Sequence, residues 1–406
     1  MRKLAAVLTA VVLSVILFSA ALSEAAEANV GYTVPTVDIT NTFEIPDNEA
    51  LRFIRDLKIG WNLGNTFDAH NGFERTSTDA SMETSWVGVK TSHQLIAEIK
   101  AAGFNLIRIP VSWHNHVDQD YRIYEKWIAR VEEVVRDALN EGLYVIVNVH
   151  HDNDVRYFYP DREHMEQSTA YLTSVWTQIA ERFADCDDHL ILESMNEPRL
   201  VGTGVEWTFS QSNAQCLEAA ECINELNQLF VSTVRGTGGN NATRYLLIPA
   251  YAGSPYAATE SAFVLPEDTA DNRIIVETHG YIPYDFALNL NSNDTSFDLD
   301  NAGTKKNAIN DALTRLYNKF VANGIPVLMD EFGALNKKNN TQDRINFAAY
   351  YTAAASARGI TCVWWDNHAF AGGGELFGLI NRRTCEWVFP EIVEALMKNC
   401  LCHRET

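Results

Sequence analysis

Positive charge is scarce in this chain: 32 Lys and Arg stand against 53 Asp and Glu, a formal net charge of −21 over 406 residues. Nucleic acid and anionic membrane surfaces are therefore poor partners, because phosphate contacts need Lys and Arg. A neutral polymer is compatible with such a balance. Cysteine is sparse as well. The seven, Cys186, Cys216, Cys222, Cys362, Cys385, Cys400 and Cys402, contain no Cys-x-x-Cys pair, which speaks against a zinc site or a disulfide framework. Export would still permit one or two bridges, for example Cys216 with Cys222, while Cys362 lies in an apolar strand pattern and reads as a buried thiol. Gly/Ser or Pro-rich linkers and a second zone of composition are also missing, so one large domain is expected. After the N-terminus, no apolar run is long enough to span a bilayer.

The single long apolar run, Leu4 to Leu22, follows Arg2 and Lys3 and ends in Ala25-Ala26-Glu27-Ala28. That is the form of a secretion signal with a small-residue cleavage site. The expected organisation is a signal peptide at 1–28, an N-terminal arm at 29–48, a catalytic domain at 49–402 and a tail at 403–406. The mature protein should then be extracellular, off the membrane and monomeric.

From Lys58 onward, β-branched runs alternate with stretches of helical period, the sequence form of repeated βα units. Eight strands are expected, beginning at Ile59, Asn105, Tyr144, Leu190, Tyr245, Arg273, Pro326 and Ile360. Helical stripes such as Trp127 to Leu139 and Ala308 to Phe320 lie between them, and Gly142, Gly324 and Gly359 follow where a helix end needs a left-handed residue. This predicts an α/β fold, a single-domain (β/α)₈ barrel, with a doubly wound open sheet as the alternative. Six of the eight runs end in carboxylate, imidazole, amide, guanidinium or indole groups. A barrel gathers all such ends at one mouth, whereas an open sheet binds mainly at its switch point.

Two of those ends carry the chemistry. Glu197, in Asn196-Glu197-Pro198, ends a run in which Glu193, Met195 and Glu197 are expected to share a face. Glu331 ends a run three strands later. Two carboxylates facing each other across a cleft are what glycoside hydrolysis requires: separations of about 5 to 5.5 Å imply retention, and about 6.5 to 9.5 Å inversion. The acid must keep its proton near neutral pH, so desolvation or nearby negative charge should raise its pKa. Asp330, by strand alternation, should point away from the mouth.

The strings "GWNLGNT", "RIPVSW", "NVHHD", "MNEPR", "HGY", "EFG" and "WWDN" occur in this order from Gly60, Arg108, Asn148, Met195, His279, Glu331 and Trp364. In them the chain resembles glycoside hydrolase family 5, most closely its endo-β-1,4-glucanase and xyloglucanase subfamily. The resemblance implies a (β/α)₈ barrel and a retaining mechanism needing no metal or cofactor, with Glu197 as acid/base and Glu331 as nucleophile. Arg108 would pair with Glu331 and keep it ionised, with an ion pair to Glu193 as its structural alternative. Asn196 would bond the sugar 2-hydroxyl, His279 and Tyr281 would position the nucleophile, and His150 and His151 fit sugar-hydroxyl contacts, with strand alternation turning only one of them inward. Asn65 matches a site position where amides also cap backbone. Trp364 is the expected sugar platform, with Trp113 and Trp86 further along the cleft.

The expected activity is hydrolysis of internal bonds in a β-1,4-linked glucan such as cellulose. Departures at Asp152-Asn153-Asp154, at Val87-Gly88-Val89 and at His368 alter the cleft walls and leave open a preference for xyloglucan, lichenan, xylan or mannan. Two other classes compete: a metal-dependent barrel hydrolase using His150, His151, His279 and Asp366, and a non-catalytic glycan-binding protein.

Overall fold

A computed structural model of the chain describes residues 31–40, 43–74 and 80–400. The expected signal peptide, the 403–406 tail and Cys402 lie outside the described residues. Eight parallel strands close into a barrel in chain order: β1 (Gly60–Leu63), β2 (Leu106–Ile109), β3 (Tyr144–Asn148), β4 (Leu190–Glu193), β5 (Leu246–Pro249), β6 (Ile274–His279), β7 (Val327–Phe332) and β8 (Thr361–Asp366). Each falls within a run read from the sequence. Helix α1 (Glu49–Asp56) precedes β1. Between and after the strands come α2 (His93–Ala101), α3 (Glu125–Asn140), α4 (Met165–Arg182), α5 (Ala214–Gly236), α6 (Pro255–Thr259), α7 (Tyr284–Ala287), α8 (Gly303–Lys319), α9 (Thr341–Ser356) and α10 (Pro390–Asn399). A short antiparallel pair, Ile380–Asn381 with Glu386–Trp387, follows β8 and was not anticipated.

The barrel interior is built in layers, apolar below and polar above. At the strand starts Leu106, Ile146, Ile191, Leu247, Ile275, Leu328 and Val363 point inward and pack on Phe53, Ile54 and Leu57 at the end of α1, so this helix plugs the floor. Asn48 starts it by accepting the Leu51 N–H at 2.8 Å, the usual N-cap arrangement. One pleat higher the inward positions are Asn62, Arg108, Asn148, Glu193, Glu277, Asp330 and Trp365, all buried. Because side chains alternate along a strand, an apolar floor and a polar ceiling need only a two-residue step. The outer face packs on the helices as a second, larger apolar cluster.

From Val34 onward the described residues form one compact unit. The described arm lies on the core through Val34, Val37, Ile39 and Ile45, and Val37 N–H donates to Asn399 Oδ1 at 2.8 Å. Gly142, Gly324 and Gly359 take φ of 71°, 82° and 72°, the left-handed backbone expected there. Cys216 and Cys222 do not bridge. Six residues apart on α5, they are separated by a rise of about 9 Å, beyond disulfide reach, and both are free thiols. No helix among the described residues is long and apolar enough to cross a membrane.

Phe53 lies flat on Tyr245 at 3.8 Å and edge-on to Tyr144 at 5.5 Å. Phe53→Ala should therefore remove roughly 3–5 kcal/mol of unfolding free energy in urea titration while leaving KM unchanged. A loss below about 1 kcal/mol would mean that α1 is not the floor of the core.

Candidate active site

Arg108 occupies the centre of the polar layer with no solvent exposure. Its Nε and Nη2 donate to the two oxygens of Glu193, both at 2.6 Å, while Nη2 also donates to Asn196 Oδ1 at 2.7 Å. Its Nη1 donates to Glu331 Oε1 at 2.7 Å and to Asn62 Oδ1 at 3.1 Å. The two pairings considered from the sequence are thus made at once. A rigid guanidinium fork suits this in a way that a lysine does not. Burial alone would raise the Glu193 carboxyl, but the charge and hydrogen bonds of Arg108, with the Asn148 amide at 2.8 Å, bring it below the usual range.

The two expected catalytic carboxylates face each other: an oxygen of Glu197 and an oxygen of Glu331 lie within 4.8 Å of one another and of a His279 nitrogen. His279 Nδ1 is 2.7 Å from Glu197 Oε1 and 3.6 Å from Glu331 Oε2, so it attends chiefly Glu197 rather than Glu331. Tyr281 donates its hydroxyl to Glu331 Oε2 at 3.0 Å, and burial followed by the charges of Glu331 and Glu197 keeps that phenol protonated. Desolvation alone would lower the His279 imidazole, yet Glu331, Glu197 and Asp330 around it raise it to about 9. Glu197 departs from expectation. Burial would raise it, but the His279 hydrogen bond and charge, then Arg199, hold it below the usual range. A proton here thus belongs to the Glu197–His279 pair rather than to the carboxyl alone.

The strand ends explain several corrections. On β7 the inward parity runs through Leu328 and Asp330, and a register shift between Met329 and Phe332 lets Glu331 turn inward as well. Asp330 therefore points into the barrel, 3.4 Å from Arg108 Nε, and not away from it. On β4 the strand ends at Glu193 and Met195 joins the apolar core, so the three-residue face does not extend to Glu197. On β8, Trp365 shares the register of inward Asn62 whereas Trp364 pairs with Trp61. Trp364 is fully buried against Phe332, and Trp365 is the mouth tryptophan, parallel to His150 at 5.8 Å. Trp113 is likewise core, its indole N–H held by the Asn148 carbonyl at 2.8 Å.

His150 and His151 both reach the mouth because they lie beyond β3, where alternation no longer applies. Their rings meet edge-on at 4.4 Å. Desolvation keeps both neutral, His151 at about 3 and His150 well below its ordinary value. Asn65 adopts φ 58° in the turn after β1 and donates its backbone N–H to Asp68 at 3.0 Å. Asp152 is a scaffold: it accepts from Trp113 N, His114 N and the Tyr171 hydroxyl at 2.9, 2.7 and 2.6 Å. Trp86 is exposed beside His70 and His151. Unforeseen was Trp207, exposed in the loop after β4 under the Arg199 guanidinium at 3.9 Å. Arg199 in turn donates to the Glu197 carbonyl at 3.0 Å. No periodic pattern marks such a loop residue.

Of the residues in the metal reading, Asp366 does not take part: it is buried, accepting Leu379 N–H at 2.8 Å and His368 N–H at 2.8 Å. Among the described residues His150 and His151 gather instead with Asp68, and His279 with Glu197 and Glu331 or with Glu277 and Asp330, so the four residues named from the sequence do not form one site.

Comparison with known proteins points to one family. The family model for cellulase, glycosyl hydrolase family 5, matches residues 70–371. Endoglucanase A of Ruminococcus albus is 39% identical over 90% of this chain and 96% of its own length. Endoglucanase B of Neocallimastix patriciarum is 42% identical over 85% of this chain and 70% of its own. Among solved structures, a family 5 lichenase from Caldicellulosiruptor sp. F32 superposes with a TM-score of 0.88 at 48% identity, covering 91% of this chain and all of the other. A broad-specificity endoglucanase from Ruminococcus champanellensis with bound cellotriose gives 0.80 at 42% identity, covering 87% of this chain and 100% of that one.

His279 binds its proton more tightly folded than unfolded, so its stabilising contribution is complete below about pH 6.5 and disappears as pH rises through about 9. Unfolding free energies measured in urea across this window should fall for the wild type and stay flatter for His279→Asn. Parallel curves for the two proteins would contradict the assignment.

Proposed function

The chain belongs to the cellulase family of glycosyl hydrolases, family 5, and from that membership we propose that it cleaves internal β-1,4-glucosidic bonds of cellulose and β-glucan by double displacement. The observation that carries the mechanism is the close approach of Glu197 and Glu331, within 4.8 Å. This separation supports retention, since an inverting pair must leave room for a water between acid and sugar.

Glu331 attacks the anomeric carbon. Arg108 and Tyr281 hold one of its oxygens each, at 2.7 and 3.0 Å, so the attacking carboxylate is oriented before substrate arrives. Glu197 passes the proton it shares with His279 to the departing glycosidic oxygen, then takes one from the water that releases the sugar. Asn196, whose Oδ1 is fixed by Arg108 at 2.7 Å, offers its amide N–H to the sugar 2-hydroxyl. Trp365, with Trp86 and Trp207 toward the rims, supplies apolar faces for glucose rings.

Substrate breadth beyond linear β-1,4-glucan, including xyloglucan and lichenan, is supported by the likeness to the broad-specificity endoglucanase and the lichenase. We place the enzyme outside the cell as a monomer. The apolar run from Leu4 to Leu22 fits export.

Glu197→Gln and Glu331→Gln should each lower reducing-end release from barley β-glucan by about 10²-fold or more; either variant keeping a tenth of the activity would sink the assignment. Azide separates the roles. Glu197→Ala should yield a β-glycosyl azide and Glu331→Ala an α-glycosyl azide, and the reverse stereochemistry would exchange acid and nucleophile.

A further inference from the structure

Arg344, like Arg108, is sealed inside the protein with no solvent exposure, but its charge is poorly matched. Nε donates to the Ala334 carbonyl at 3.0 Å. The guanidinium carbon lies over the Phe389 ring, 4.7 Å from its centre. Nη1 and Nη2 are both buried, and neither reaches a hydrogen-bond acceptor among the described residues. Burial pushes the guanidinium down to about 9, with Asp366 acting against that, so it is charged at neutral pH. Buried polar groups are almost always satisfied, and a buried charge left short of partners is strongly unfavourable.

The nearby carboxylates are committed elsewhere. Asp366 Oδ2 accepts Leu379 N–H, Ile380 N–H and the Trp61 indole N–H at 2.8, 3.2 and 3.2 Å. Its Oδ1 accepts His368 N–H and Arg382 Nη2 at 2.8 and 3.3 Å. Asp343, the neighbour of Arg344 in the chain, accepts Phe297 N–H at 2.6 Å. The local backbone adds positive rather than negative potential. Arg344 lies near the start of α9, and helical side chains tilt toward the N-terminus, which carries the guanidinium back to that end. Asn340 gives α9 no side-chain cap, because its Oδ1 accepts Lys337 N–H at 2.9 Å and its Nδ2 donates to the Thr295 carbonyl at 3.0 Å. The positive end of the helix dipole therefore adds to the Arg344 charge.

We propose that Arg344 and the N-terminal end of α9 form an internal site for one small monovalent anion of halide size, chloride in a saline medium, held by Nη1 and Nη2 together. One charge is short of a partner, so one negative charge balances it. A phosphate- or carboxylate-bearing molecule would need an opening that a fully buried side chain does not have. Ala334, whose carbonyl Arg344 holds, follows Glu331 by three residues, so the occupied site braces the chain where it leaves β7. An ion bound to the folded chain and not to the unfolded one adds stability by mass action. The site touches neither Glu197 nor Glu331, and it stands or falls independently of the hydrolytic reaction.

The probe is sodium chloride, exchanged at constant ionic strength against sodium gluconate, whose anion is too large to enter. In urea titrations of the wild type, each tenfold rise in chloride above the dissociation constant should multiply the folding equilibrium constant about tenfold. Arg344→Met, which fills the same space without a charge, should be indifferent to the exchange. An equal chloride response in both proteins places the ion elsewhere and overturns the site. So does a wild type that shows no response between about 1 and 500 mM chloride, which leaves the η nitrogens to water. Should Arg344→Met not fold, anomalous scattering from wild-type crystals grown in sodium bromide decides. A bromide peak in contact with both η nitrogens supports the site, and a water or no peak at that position overturns it.

Discussion

The contact on which the rest depends is the fork of Arg108 across Glu193 and Glu331. Its guanidinium lies in the dry centre of the barrel and donates to Glu193, Glu331, Asn196 and Asn62 within 3.1 Å. A buried charge without partners is strongly destabilising, while one with all donors satisfied is tolerable and rigid. The geometry that stabilises the charge of Arg108 is also the geometry that fixes Glu331 and Asn196 at the barrel mouth.

A (β/α)₈ barrel makes this possible through its layers. The apolar floor of Leu106, Ile146, Ile191, Leu247 and their neighbours on α1 excludes water from below, so charges one pleat higher interact in a low-dielectric space. In that space the proton shared by Glu197 and His279 is set by a group and not by one carboxyl. His279 stands between Glu197 and Asp330, and its affinity answers to Glu331 as well. A change of charge on any of these carboxylates is therefore felt at the Glu197–His279 pair.

Much of this was legible in the sequence, and the misses share a physical origin. The eight strands and the Glu197–Glu331 pairing followed from periodicity and from polar residues at strand ends, features that local chemistry writes directly. Side-chain direction at those ends was less accessible. Alternation fails where a register shift turns both Asp330 and Glu331 inward and beyond β3, where His150 and His151 both reach the mouth. The choice of Trp365 over Trp364 depends on the register with β1, a pairing between residues some three hundred positions apart. Glu277 looked like any strand residue, and Trp207 belongs to a loop with no period. A burial argument made for Glu197 alone gave the wrong direction because its histidine partner comes from another strand.

The most direct test of the central claim, that Glu331 is the nucleophile held ready by Arg108, is trapping with 2-deoxy-2-fluoro-β-cellobiosyl fluoride. Fluorine at C2 slows both steps and the good leaving group restores the first, so the glycosyl-enzyme accumulates. Peptide mass spectrometry of the labelled protein should find one cellobiosyl group, on Glu331. Attachment to Asp330 or Glu197, or rapid turnover with no labelled peptide, would contradict the account.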